Sequence, residues 1–385
     1  MIHFMLRCFR ALRVRLIWFF FHLLPIDSSK IVVSNFYGRG YGDNPKYITE
    51  KLLSSPYKLR IIWLIKTPYE KSTLPEGVEA CQIDTIMSIY HLMTAKIWID
   101  NCRKHFIKFK RKKQYYIQTW HGFALKRIEK DAADKLSKDY VKSAIRDSKN
   151  IDYIISCSSF MSKLYRSSFW YDGSILEFGA PRNDILLKPD ESLIHKVHNY
   201  FGIDSNKHII LYAPTFRADK NMRAYNIDYI RLIRSCEKRF GVTFIVIAKL
   251  HPNIASQSKA LPCNSLIIDG THYPDMQELM CASDVIVTDY SSVMFDFSIA
   301  NKPCFQYAVD IEDYKNDRNF YFPLDQLPFP LASNNDELEH CVLNFNSVEY
   351  ENKLNNFYNS NGLNRTGNAS ERCADLILSL TGKGK

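Results

Sequence analysis

The stretch Ser283-Asp284-Val285-Ile286-Val287-Thr288-Asp289-Tyr290-Ser291-Ser292-Val293-Met294-Phe295-Asp296-Phe297 decides the fold. Asp284–Thr288 is a short β-branched run, apolar on consecutive residues, which fits a strand buried on both faces of a parallel sheet. It stops at Asp289-Tyr290. Ser291 and Ser292 then head a second apolar run that fits a helix, with Asp296 in its first turns. Strand, polar turn and helix make half of a βαβ unit. The pattern recurs outward from there. His208–Tyr212 (HIILY), Thr243–Leu250 (TFIVIAKL) and Leu266–Asp269 (LIID) belong to the same set. Lys30–Phe36 (KIVVSNF), Leu59–Ile65 (LRIIWLI), Lys96–Asp100 (KIWID), Tyr115–Gln118 (YYIQ) and Tyr153–Cys157 (YIISC) form an earlier one. Two such sets predict an α/β protein of two Rossmann-like domains with parallel sheets. They divide as 26–188 and 189–385, joined near Pro189–Ser192 before a helix at Leu193–Phe201. A C-terminal helix at Ser370–Leu380 is a candidate to cross back to the first domain.

Composition agrees with a filled core. Of the 385 residues 46% are apolar, 24% charged and 14% aromatic, which excludes a disordered polyelectrolyte and a fibre. The net charge of +10 is unevenly placed: residues 1–25 carry +4, residues 96–149 carry +10, and the remainder is −4. Such asymmetry implies an anionic partner, whether nucleic acid, a membrane surface or a phosphate-rich substrate. Arg7, Arg10, Arg13 and Arg15 recur at about helical spacing beside Phe4, Leu6, Phe9, Leu12 and Leu16. The apolar run Leu16–Leu24 is too short for a bilayer span of roughly 20 residues, and no small-residue cleavage site follows it. A basic amphipathic helix lying on an anionic leaflet is therefore expected over 1–25, with packing on the protein's own core as the alternative. The ten cysteines are scattered, with no two within four residues. That spacing indicates neither a disulfide framework nor a CxxC pair, and a reduced, cytoplasmic chain is expected. The run Arg103–Lys113 holds seven bases and no acid, with Phe106 and Phe109 interleaved. It raises nucleic-acid binding as an alternative, although no nucleic-acid fold signature accompanies it.

Ligands of open α/β sheets sit beyond the carboxyl ends of the strands, so the polar residues just after each run carry the functional reading. Gly38 and Gly40, in Gly38-Arg39-Gly40-Tyr41-Gly42, suit either phosphate approach or a tight turn. His121, in Trp120-His121-Gly122, follows a strand end and suits a general base; a hydrogen-bonded structural histidine is the alternative. Thr215 and Arg217 follow HIILY. Arg217 suits a bidentate phosphate contact or a pair with a carboxylate between domains. Lys249 and His251 end the next strand and suit a charged substrate or plain packing. Asp289, Ser291, Ser292 and Asp296 suggest an anion site at a helix start, against a simple serine cap. Downstream lie Asp310, Tyr314, Arg318 and Tyr321. The sequence contains no GxxxxGK[ST] loop on a strand–helix turn, no HExxH, no GxSxG and no DxD. An anion site is thus expected to rely on Arg, Lys, His and N–H groups, with no metal and no cofactor.

Taken together, QTWHG, LYAPTFR, KLHP, SDVIVTDYSSVMFDF and KPCFQYAVDIEDYKNDRNFYF, with Gly179-Ala180-Pro181-Arg182-Asn183-Asp184, resemble the CDP-glycerol glycerophosphotransferase family of teichoic acid primases and polymerases. The likeness runs from about Ile31 to Cys373. It implies a GT-B-like fold, two Rossmann-like domains facing a cleft, with an acceptor domain at 26–188 and a CDP-donor domain at 189–385. It implies transfer of glycerol phosphate or ribitol phosphate from CDP-glycerol or CDP-ribitol to a lipid-linked, teichoic or capsular glycan, releasing CMP. On it, His121 deprotonates the acceptor, Arg217 and His251 hold the donor diphosphate, His251 stabilises the leaving phosphate, and Ser291 and Ser292 bind the diphosphate. Phe123-Ala124-Leu125-Lys126, Glu129-Lys130 before Asp131, and Asn319 after Arg318 depart from the family pattern and bear on acceptor identity. A GT-B glycosyltransferase using a nucleotide sugar is the nearest alternative. The enzyme is expected at the cytoplasmic face of the plasma membrane, bound peripherally, with no nucleic-acid partner.

Overall fold

The computed structural model describes residues 19–104, 110–217, 225–311 and 319–383. The first sheet holds β1 (Asp27–Ser34), β2 (Arg60–Ile65), β3 (Val78–Gln82), β4 (Ala95–Asp100), β5 (Tyr115–Gln118), β6 (Tyr153–Ile155) and β7 (Ser174–Leu176). Its order is β3-β2-β1-β4-β5-β6-β7, and all of its pairings are parallel. The second sheet holds β8 (His208–Ala213), β9 (Phe244–Ala248), β10 (Ile267–Asp269), β11 (Val285–Thr288), β12 (Cys304–Tyr307) and β13 (Leu331–Ala332). It is likewise parallel, in the order β10-β9-β8-β11-β12-β13. Each sheet reverses its winding beside its first strand, between β1 and β4 and between β8 and β11. Those are the crevices where doubly wound sheets bind ligands. The fold is GT-B-like.

The strands are continuous apolar runs because helices cover both faces, and Ile31, Val32, Val33, Ile97, Trp98, Ile99 and Ile210 are fully buried. β3, β7, β12 and β13 lack such a run and escape a reading based on periodicity. Three of them lie at sheet edges, and β12 carries Gln306, whose Nε2 donates to the Leu324 and Phe329 carbonyls. The helix after Ser292 is only Val293–Phe297, continued by a 3₁₀ turn at Ser298–Ala300 that Asn301 ends in the left-handed region (φ 59°).

Between the sheets the chain passes through the helix Asp184–Leu187 and then Glu191–Phe201, which packs on Met276–Ala282 of the second sheet's layer. The last helix, Ala369–Leu380, packs on Asp43–Leu53 beside the first sheet, burying Cys373, Ile377 and Leu378 with Ile48 and Leu52. Its own residues provide no side-chain cap; Asp184 accepts from the Ala369 and Ser370 amides at 3.1 and 2.8 Å. A carboxylate at a helix start complements the dipole there.

Residues 1–18, with the four N-terminal arginines, lie outside the described residues. Residues 19–23 are helical, with Phe19, Phe20 and Leu23 exposed and Phe21 against Tyr90 at 5.6 Å between ring centroids. Of the run Arg103–Lys113, residues 105–109 lie outside the described residues. Arg103 and Lys104 are buried: Arg103 pairs with Glu129 (2.9 Å) and Asp147 (3.5 Å), and Lys104 with Asp100. Lys110 pairs with Asp152, and Arg111 donates to the Leu24 and Met93 carbonyls at 2.7 and 3.1 Å. Those four bases are spent on the protein's own acceptors.

Candidate active site

His121 is held by a turn that few residues could make. Trp120 sits in the left-handed region (φ 49°) and Gly122 at φ 129°, which side chains avoid. A Cβ on Gly122 would lie 2.5 Å from Arg182 Nη2 and 3.4 Å from Ser292 Oγ. The turn is pinned from several directions. Gln118 Oε1 accepts from the Trp120 amide at 2.9 Å, and Asn44 Nδ2 donates to the Thr119 and Trp120 carbonyls at 3.3 and 3.0 Å. Phe123 packs among Phe160, Phe295, Phe322 and Phe357, from both sheets' layers.

His121 Nδ1 lies 2.7 Å from the Asn101 carbonyl oxygen. A carbonyl only accepts, so Nδ1 carries the proton and Nε2 keeps its lone pair. Burial lowers the His121 pKa below the ordinary histidine value, with Arg182 adding to the shift, while the Asn101 hydrogen bond and Asp43 oppose it. The ring is therefore neutral near pH 7 and suited to take a proton at Nε2. Trp120 stacks on it at 4.1 Å and Phe36 leans on it at 5.4 Å.

Beneath the turn lies a buried ionic clasp. Arg182 Nη1 reaches Asp43 Oδ2 and Arg182 Nη2 reaches Asp296 Oδ2, both at 2.5 Å, and Asn183 Nδ2 donates to Asp296 Oδ1 at 2.8 Å. All four side chains are buried. Asn44 accepts from the Arg182 amide at 3.1 Å and so ties the clasp to the His121 turn. A second clasp crosses between the layers where Lys46 meets Asp275 (2.6 Å) and Glu278 (2.8 Å). Lys46, Lys196 and Tyr273 hold the Glu278 pKa down, to about 2, against the opposing effect of burial.

Between the sheets a cavity of about 500 Å³ opens at the strand ends. Gly40, Thr215, Lys249, His251 and Ser291 line it, together with Phe36. His251 is exposed, and its Nδ1 accepts from the Asn253 amide at 3.1 Å, which leaves Nε2–H as a donor. Desolvation by the cleft walls and then the charge of Lys126 lower its pKa. Lys249 Nζ donates to the carbonyls of Tyr273 (2.6 Å), Thr271 (3.2 Å) and Gly270 (3.4 Å), bracing one cavity wall; burial pushes its pKa down to about 8.

Several expected ligands are placed otherwise. Arg217 is 6% exposed and its guanidinium is taken up by Asp310 (2.6 and 2.9 Å), Asp289 (2.9 Å) and the Thr215 carbonyl (2.8 Å). It is the carboxylate-paired arginine, but within one domain rather than between two. Asp289 is buried and accepts from the Thr215 and Tyr290 amides and the Thr215 hydroxyl, so it shapes the turn below the cavity. Asp296 belongs to the clasp. Gly38 serves the tight turn: it is at φ 86°, and a Cβ there would meet the Lys66 nitrogen at 3.0 Å. Ser292 makes no capping hydrogen bond and faces Gly122 instead. Arg318 and Tyr314 lie outside the described residues. Asp43, Asn44, Asn101 and Phe36 gave no sequence signal of their own, whereas Arg182 stood inside the quoted GAPRND segment.

The family model for CDP-glycerol:poly(glycerophosphate) glycerophosphotransferase matches residues 16–379. A teichoic acid poly(glycerol phosphate) polymerase of Staphylococcus epidermidis is 32% identical over 366 residues, which is 91% of this chain but 51% of that protein, about half its length. A teichoic acid ribitol-phosphate primase of Bacillus spizizenii is 27% identical over 372 residues, 94% of each protein. The solved structure of the wall teichoic acid polymerase TagF superposes with a TM-score of 0.84 at 29% identity, covering 98% of this chain and 97% of that one. With residues 16–379 inside the family model, the chain belongs to the CDP-glycerol:poly(glycerophosphate) glycerophosphotransferase family.

Proposed function

We propose that the protein transfers a polyol phosphate, glycerol phosphate or ribitol phosphate, from a CDP-linked donor to a hydroxyl of a teichoic or capsular glycan acceptor, and releases CMP. The observation that carries this reading is His121, with Nε2 unprotonated and its ring against Phe36, which lines the interdomain cavity together with His251, Lys249, Thr215 and Ser291. The acceptor oxygen attacks the phosphorus that bears the polyol. A new phosphoester bond forms as the bond to the CMP oxygen breaks. The acceptor proton passes to His121 Nε2, and the His251 Nε2–H donates to the departing CMP phosphate. Such a transfer needs positioning and charge neutralisation more than covalent help. The Ser291 hydroxyl is placed to donate to the diphosphate, the Lys249 ammonium adds positive charge from the cavity wall it braces, and Gly40 leaves room beside it.

The acceptor is lipid-linked, and the enzyme works at the cytoplasmic face of the plasma membrane. The exposed Phe19, Phe20 and Leu23, following the N-terminal arginines, support contact with an anionic leaflet. No helix among the described residues is long and apolar enough to cross a membrane. The purified protein should release CMP from CDP-glycerol or CDP-ribitol when given a glycolipid acceptor. Release of UDP from a UDP-sugar, with no CMP from either donor, overturns the reading in favour of a glycosyltransferase. For the membrane contact, deleting residues 1–24 should lower partition onto anionic liposomes; unchanged partition refutes it.

A further inference from the structure

His121 is aimed by its ring neighbours as well as by its hydrogen bond. The single bond from Nδ1 to the Asn101 carbonyl fixes one edge of the imidazole and leaves the ring free to tilt about that edge. Contact over a ring face removes the tilt and so sets where Nε2 points. Trp120 supplies that contact, its indole stacked on the imidazole at 4.1 Å and 29°, whereas the other ring neighbour, Phe36, is exposed.

The indole is braced in its turn. Phe169, fully buried at the end of the helix Ser159–Ser168, meets Trp120 edge to face at 4.7 Å and 78°. The Arg103 guanidinium lies over the Phe169 ring, 4.6 Å from its centroid, and Nη2 donates to the Phe169 carbonyl at 3.4 Å. Arg103 is itself held at every nitrogen. Nε and Nη2 donate to Glu129 Oε2 at 3.2 and 2.9 Å, and Nη1 donates to Ser148 Oγ at 2.8 Å and Asp147 Oδ2 at 3.5 Å. Glu129 keeps a left-handed backbone (φ 54°) that favours glycine, and the Tyr140 hydroxyl donates to its Oε1 at 2.6 Å. The pair of Asp100 with Lys104 stands beside this group, and both act on Asp147. A buried arginine between two carboxylates contributes little stability beyond an apolar core of the same volume. What this one adds is a fixed cation under a row of three rings, Phe169, Trp120 and His121, that ends on the base.

We infer that Phe169 and Arg103 are positioning residues for His121: Arg103, clamped by Glu129 and Asp147, holds the Phe169 ring against Trp120, and Trp120 sets the plane of the imidazole. The inference rests on His121 being the base of the transfer proposed above. Its test uses the full chain with CDP-glycerol and a glycolipid acceptor. Phe169→Leu keeps an apolar side chain there but removes the ring edge. Its kcat should fall roughly 10-fold or more, as expected for a displaced base, with donor and acceptor KM changed by less than about twofold. Phe345→Leu, the same truncation in the core of the second domain, should leave kcat unchanged. A second readout needs no turnover. Burial holds the His121 pKa below the ordinary histidine value, with Arg182 adding to the shift and the Asn101 hydrogen bond, Asp43 and Glu129 opposing it. Loosening the Trp120 stack admits water, so Phe169→Leu should raise that pKa toward the ordinary value. Burial also pushes Asp147 up to about 7, so the titration is read from the His121 signal itself, by carbon-13 NMR of histidine-labelled protein, identified by its absence from His121→Asn. Arg103→Lys keeps the charge without the fork and should move both readouts less, in the same direction; wild-type behaviour of that variant removes Arg103 from the inference. A wild-type kcat or an unmoved His121 titration in Phe169→Leu overturns the inference and leaves the transferase reading standing. Absence of CMP release by the wild type overturns the transferase reading, while the NMR titration still decides whether Phe169 sets the imidazole.

Discussion

Replacing Arg182 by Met tests whether the Asp43–Arg182–Asp296 clasp holds the two domains and the His121 turn together. The substitution keeps much of the side-chain length but removes the one cation between two buried carboxylates, each 2.5 Å from a guanidinium nitrogen. Removing one partner of a buried pair typically costs about 3–5 kcal/mol, because the stranded charge stays desolvated. The loss should be read by urea denaturation near pH 8 as a lowered unfolding midpoint. The pH dependence supplies the sharper check. Burial already raises the Asp296 pKa, and Arg182 is the largest influence opposing that rise. Without Arg182 the folded-state value moves further above the unfolded one, so the variant's folded form binds a proton that the unfolded chain does not. Stability from such a group is present at low pH and lost as pH rises through the folded value, at up to about 1.4 kcal/mol per pH unit. The deficit of Arg182→Met against the wild type should therefore be smaller at pH 5 than at pH 8, and Asp296→Asn should recover part of it at pH 8. A deficit below about 1 kcal/mol, or one independent of pH, refutes the claim that the clasp is a charged, interdomain element.

The site yields further outcomes. His121→Ala should abolish CMP release while near-ultraviolet circular dichroism stays native, and retained turnover removes the base assignment. The acid limb of the wild-type rate profile should fall below the ordinary histidine range, because burial lowers the His121 pKa. Gly122→Ala should cut turnover more than about 10-fold, since φ 129° and a 2.5 Å approach to Arg182 both oppose a methyl group there; unchanged turnover shows that the turn has slack. Glu278 should make the fold acid-labile. Its folded pKa of about 2 lies below the ordinary 4.5, so its contribution is present above pH 4.5 and is lost as pH falls toward 2. That contribution is worth about 3 kcal/mol, and Lys46→Met should reduce it, as measured by the pH dependence of the denaturation midpoint.

What the sequence determined by itself was local. Continuous β-branched runs can be satisfied only inside a covered parallel sheet, so the central strands and their alternation with helices were legible, as was the placing of His121, Lys249 and His251 at strand ends. Short edge strands such as β7 and β13 carry no such run and exist because a neighbour pairs with them. Tertiary structure alone decided which charges meet. Asp310 lies 93 residues from the arginine it occupies, and Arg182 lies 139 and 114 residues from its carboxylates. Nothing in the spacing of LYAPTFR tells a phosphate-binding arginine from a paired one, because the two differ only in what the distant chain brings within 3 Å. The same holds for Asn101, whose carbonyl fixes the histidine tautomer through a backbone atom that every residue possesses. Burial then settles the outcome: once folding removes water from these groups, a charge or a ring N–H must find its partner inside the protein.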